Sequence, residues 1–104
     1  MTASPDDKFP ELNNAVLGIE ELSALFRDYR ACATVDEILV KPGPGYVPTE
    51  VHPTLEQAEE FLRARSVRGV QIRYQFDQNS WCDTLMPRAD GIRLVRIRQS
   101  QADG

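Results

Sequence analysis

The sequence predicts an α+β domain. Its expected form is a two-layer sandwich in the order α-β-α-β-β-β, with a four-stranded, mostly antiparallel sheet ending in a β-meander and two helices on one face. Three observations lead there. Apolar residues recur at helical spacing over 19–33, a capping-box pattern opens a second helix at Thr54, and the last third holds three β-type runs separated by turn clusters.

Residues 1–11 combine Pro5, Asp6, Asp7 and Pro10 with no periodic apolar pattern and are expected to form a mobile leader. In IEELSALFRDYRACA (19–33), Ile19, Leu22, Leu25, Phe26, Tyr29 and Cys32 share one stripe, while Glu20, Glu21, Arg27, Asp28 and Arg30 fill the other side. Acids at the start and Arg30 near the end suit the helix macrodipole. TVDEILVK (34–41) is β-branched and apolar enough for a strand, stopped by Pro42-Gly43-Pro44-Gly45. The stretch 42–53 holds four prolines and two glycines, so it is expected to be the longest loop. Thr54 then caps a helix with Gln57 three residues on, and Leu55, Ala58, Phe61 and Leu62 form its stripe as far as Ser66 to Gly69.

VQIRYQF (70–76) alternates, with Val70, Ile72, Tyr74 and Phe76 on one face and Gln71, Arg73 and Gln75 on the other. A turn at 77–80 leads to WCDTLM (81–86), where Trp81, Asp83 and Leu85 oppose Cys82, Thr84 and Met86. Asp90-Gly91 marks a second turn before IRLVRIR (92–98). The unit 34–41, 54–66, 70–76 suits a right-handed crossover that would make its two strands parallel. The domain is expected over 12–98, with a frayed tail at 99–104. Its expected core is Leu22, Leu25, Phe26, Tyr29, Ile38, Val40, Leu55, Leu62, Val70, Ile72, Tyr74, Leu94 and Ile97.

Length, charge and cysteine usage bound the function. A chain of 104 residues and 11.8 kDa with 41% hydrophobic residues can build one core without staples. No apolar run approaches the ~18 residues of a membrane-spanning helix, and the acidic start lacks a signal-peptide core, so a cytoplasmic protein is expected. Residues 1–60 carry 12 acids against 4 bases, and residues 61–104 carry 8 arginines against 4 acids. Such blocks either steer a charged partner or neutralise each other in the fold. Cys32, Cys82 and His52 show no metal-ligand spacing, so no metal, cofactor or disulfide is expected, and both cysteines read as interior reduced thiols.

The catalytic inventory is thin. His52, between Val51 and Pro53, is the sole histidine and reads either as a solvated loop residue or, with Tyr46, as a pH-sensitive loop site. The prolines around Gly43 and Gly45 remove the N–H groups that a phosphate cradle needs. The arginines are more informative. Alternation turns Arg73 away from the apolar face, the Leu94-Val95 pair places Arg93 on one face with Arg96 and Arg98 on the other, and Arg68 and Arg88 lie at strand ends. The open face should therefore carry Arg73, Arg93 or Arg96, and part of 81–86.

Arg73, Arg88, Arg93, Arg96 and Trp81 are the candidate binding residues, since arginine and tryptophan anchor protein interfaces. The expected function is a small non-catalytic accessory protein that engages a protein partner. Two alternatives stay open: a single-stranded nucleic-acid binder that stacks bases on Trp81, and a small-molecule binder or enzyme with His52 at the rim of a pocket between the first helix and the meander. The plainer account of the arginines is cross-strand pairing of Asp83 with Arg73 or Arg93 on an ordinary polar face.

Overall fold

The computed structural model describes residues 14–43 and 52–99. Its elements are β1 (Asn14–Leu17), α1 (Ile19–Cys32), β2 (Thr34–Pro42), α2 (Leu55–Ala64), β3 (Val67–Phe76), β4 (Asn79–Arg88) and β5 (Gly91–Gln99). The leader at 1–11, Tyr46 and most of the expected 99–104 tail lie outside the described residues.

Both helices form where their stripes place them. Glu21 Oε1 accepts from Gly18 N–H at 2.7 Å to close the start of α1. At α2 the capping box is complete: Thr54 Oγ1 accepts from Gln57 N–H at 3.0 Å, and Gln57 Oε1 accepts from Thr54 N–H at 2.8 Å. Arg65 ends α2 in the left-handed conformation, at φ 57°. Leu22, Leu25, Phe26 and Tyr29 of α1 and Ala58 and Leu62 of α2 are buried against Val70, Ile72, Tyr74, Leu85, Ile92 and Leu94 of the sheet. Ile38, Val40 and Leu55 pack half-buried at the margin of this core.

The sheet is antiparallel throughout, in the order β1-β5-β4-β3-β2. Three expectations are corrected here. The sheet has five strands, not four, because Asn14–Leu17 joins its edge, pairing Leu17 with Ile92 and Asn14 with Val95. β2 and β3 are antiparallel, not parallel: Pro42 pairs with Val67, so the connection through α2 returns the chain to the end at which β2 finished. Ile97 is 59% exposed, because β5 alternates strictly and turns Ile92, Leu94 and Arg96 inward.

Two tight turns shape the meander. Asp77 and Gln78 both take positive φ (53° and 66°), the twist that a two-residue hairpin between Phe76 and Asn79 needs. Gly91, at φ 146°, pairs with Arg88 across the next turn, and a Cβ there would sit 2.6 Å from the Leu17 carbonyl oxygen. Glycine is what lets β1 close onto β5 at that point.

Candidate functional site

The helices cover one face of the sheet, and among the described residues no element covers the other, the open face. Register places its residues in cross-strand rows. From β1 to β2 the first is Val16, Arg93, Met86, Gly69 and Lys41; the second is Asn14, Val95, Thr84, Gln71 and Leu39; the third, starting at β5, is Ile97, Cys82, Arg73 and Glu37. Val16 and Leu39 are 48% and 39% exposed, so with Ile97 the uncovered face carries three large exposed apolar side chains. Isolated exposed apolar residues are ordinary, but several gathered on one sheet face mark an interaction surface.

Polar contacts on this face are loose. Arg73 Nη1 lies 3.7 Å from Glu37 Oε1, both well exposed, a geometry worth little to stability. Gln71 donates to Thr84 Oγ1 at 3.4 Å, and Gln75 donates to Asp36, the extra residue of a bulge in β2, at 3.3–3.4 Å. Cys82, in the third row, is buried. Burial pushes its thiol up against the opposing pull of Arg73, so it stays protonated at neutral pH and is a poor nucleophile.

The inner face holds a different charged group. Asp83 faces Arg96 in register, and both side chains are fully buried. Arg96 Nε donates to Asp83 Oδ1 at 2.8 Å and Nη2 to Oδ2 at 2.7 Å, a bidentate pair. Tyr29 donates to Oδ2 at 2.7 Å, and Tyr74 reaches both carboxylate oxygens at 3.1 Å. The Arg96 guanidinium also stands 6.0 Å from the Tyr74 ring centroid. Burial, then the Asp83 carboxylate, raises both phenols well above their ordinary range. The cluster locks α1 to three strands and is closed to solvent, so its place is structural.

The candidate residues therefore separate. Arg73 and Arg93 share the open face, and Arg88 stands exposed at its margin. Arg96 is 3% exposed and belongs to the core, so it leaves the surface set. Trp81 also turns inward, half-buried against the core, with its indole N–H directed to the Phe76 carbonyl at 3.4 Å. Asp83 pairs with Arg96 instead of Arg73 or Arg93. Cys32, expected inside, is exposed as the last residue of α1, while Cys82 is buried.

His52 is exposed and borders a groove of about 690 Å³ with Asp36, Glu37, Arg73, Ser80 and Gln99. That groove is lined by β2 with Arg73 of β3, Ser80 of β4 and Gln99 of β5, and not by α1. Among the described residues no helix is long and apolar enough to cross a membrane, and no group of three His, Cys, Asp or Glu is gathered for a metal. Sequence reasoning missed Val16, Leu39 and Ile97; strict alternation from Leu94 was the signal that could have found Ile97.

No protein-family model, curated protein or solved structure matches the chain.

Proposed function

We propose that this chain is a non-catalytic cytoplasmic accessory protein that engages a protein partner through the open face of its sheet. The observation that supports this most is the makeup of that face. It sets exposed Val16, Leu39 and Ile97 among Arg73 and Arg93, a mixture of apolar anchor and arginine that suits protein interfaces. The exposed thiol of Cys32 fits a reducing compartment.

The six described aromatic residues, Phe26, Tyr29, Phe61, Tyr74, Phe76 and Trp81, all lie in or against the core. Single-stranded nucleic acid is held by stacking bases on exposed aromatics. With Trp81 turned inward, the described part of the open face offers none, which favours the protein partner. A second reading, a small-molecule site, draws on the groove that joins His52 to Asp36, Glu37 and Arg73. His52→Ala would abolish ligand binding there and leave protein association intact.

The test is a pair of variants on the open face, Ile97→Asp with Arg93→Ser, against Glu60→Ser on the exposed side of α2. Both residues of the pair lie outside the core, so each change should cost about 1 kcal/mol or less of stability. Loss of a co-purifying protein in the face variant alone supports the proposal. Retention of every partner by a folded face variant overturns it.

A further inference from the structure

At one margin of the open face, Lys41, Arg68 and Arg88 line a cleft of about 340 Å³ together with Gly69, Thr84, Met86 and Pro87. Arg93 adjoins it, directly across from Met86 in the β4–β5 register. Three strands supply the three lining cations, and local backbone features aim two of them. Val67 and Gly69 pair with successive residues Pro42 and Lys41, so Arg68 is the extra residue of a bulge. A bulge re-aims its side chain out of the regular alternation, which brings Arg68 into the cleft from a strand position that would otherwise face the helices. Arg65 Nη1 donates to the Arg88 carbonyl at 2.6 Å, so the left-handed end of α2 holds the backbone at Arg88 in place.

Like charges gathered this way repel unless an anion lies among them. Among the described residues the ion pairs are Glu59–Arg63, Glu37–Arg73 and Asp83–Arg96. None of them involves Lys41, Arg68, Arg88 or Arg93. At the cleft floor Gly69 has no side chain, and a Cβ there would meet the Leu85 carbonyl oxygen at 3.2 Å and Met86 Cγ at 3.3 Å, so backbone and Met86 pack closely beneath the cations. Thr84 Oγ1 accepts from Gln71 at 3.4 Å, which leaves its O–H proton for another acceptor.

We infer that this cleft is the anchor point for an acidic, extended segment of the protein partner, whose carboxylates bind Lys41, Arg68, Arg88 and Arg93. The inference rests on the open-face reading and specifies the chemistry of its partner. Spacing favours a segment over a single ion. Lys41 on β2 and Arg93 on β5 are three strand intervals apart, about 14 Å, whereas one phosphate or carboxylate reaches only adjacent donors. An extended chain places alternate side chains ~7 Å apart, so carboxylates two to four residues apart match the row. Met86 and Pro87 in the lining, with exposed Val16 beyond Arg93, select apolar residues between the acids. The chain's net charge of −4 opposes a polyanion such as nucleic acid at long range. A short acidic segment can meet the local positive cleft.

The test is amide chemical-shift titration of the full chain. The probes are a synthetic peptide alternating glutamate with leucine and glycine, its glutamine counterpart, oligo-dT and inorganic phosphate. The glutamate peptide is expected to shift Lys41, Arg68, Gly69, Arg88 and Arg93 and to weaken with added salt, while the glutamine peptide has no effect. Arg68→Gln with Arg88→Gln is expected to melt like the parent chain, since both side chains are exposed, and to lose affinity by about tenfold or more. Tighter binding of oligo-dT, saturation of the same amides by phosphate alone, or unchanged affinity in the folded double variant overturns the inference. Shifts confined to Leu39, Val95 and Ile97 also overturn the acidic anchor while leaving the open face as the docking surface. Loss of the open-face reading itself is seen separately, as partner retention by the Ile97→Asp, Arg93→Ser chain.

Discussion

Replacing Asp83 by Asn keeps the volume of the side chain and removes its charge, which isolates what the carboxylate does in the core. In the native chain that group accepts two bonds from Arg96 and bonds from Tyr29 and Tyr74. Asn offers one acceptor oxygen and puts an NH₂ where another donor already points. The Arg96 guanidinium, fully buried, is left without a counter-charge. Breaking a buried pair from one side costs about 3–5 kcal/mol, a large share of the 5–15 kcal/mol that holds an ordinary domain. For a domain of this length each kcal/mol moves Tm by about 4–8 °C, so Tm should fall by at least about 12 °C. Urea unfolding followed by fluorescence of Trp81, the single tryptophan, reads the midpoint, and an unchanged slope would show that the unfolded state is the same. Replacing the whole cluster with apolar residues (Asp83→Leu, Arg96→Met, Tyr29→Phe, Tyr74→Phe) should recover most of the loss, because no buried polar group is then stranded. An Asp83→Asn chain within about 1 kcal/mol of the parent would refute the placement of this cluster in the core.

Three further outcomes follow from the same geometry. Gly91→Ala forces a Cβ to 2.6 Å from the Leu17 carbonyl oxygen at a positive φ, and should cost about 2 kcal/mol with faster amide exchange in β1 and β5; an unchanged melt would show that β1 does not close there. With a thiol reagent, Cys32 should react at once and Cys82 only on unfolding; two fast thiols would remove the burial of Cys82. Because burial and Asp83 raise the Tyr29 and Tyr74 phenols in the folded state, their contribution to stability is full below about pH 10, where unfolded tyrosine still holds its proton, and is lost as pH climbs above that. Phenolate absorbance should show two of the three tyrosines un-ionised in the folded chain at pH ~11, and titration of all three while the chain stays folded would contradict this.

Local signals made much of the architecture legible. The stripe of Leu22, Leu25, Phe26 and Tyr29, the Thr54–Gln57 box and the alternation of VQIRYQF each state a conformation within a few residues, and each recurs in the fold. β1 was not legible because four residues are too few to show a period, and its pairing depends on Gly91, seventy-odd positions away. Strand direction at β2–β3 was hidden for the same reason: the length of a connection does not say to which end it returns. Arg96 was misplaced because an arginine ordinarily goes to solvent. Its parity with Leu94, and that of Asp83 with Leu85, pointed inward and across to each other. Exposure of Val16, Leu39 and Ile97 depends on which face the helices cover. The basic cleft gathers residues from three strands around a bulge, so its members are neighbours only in the fold.

A protein partner is proposed to bind the open face of the sheet. Photo-crosslinking in native extract tests it directly, with the crosslinking residue placed in turn at Thr84, in the middle of that face, and at Glu60, on the exposed side of α2. A discrete protein adduct at Thr84, absent at Glu60 and lost when Arg68 and Arg88 are changed to Gln, is the predicted result. An adduct at Glu60 alone, or nucleic acid captured at Thr84, would contradict it.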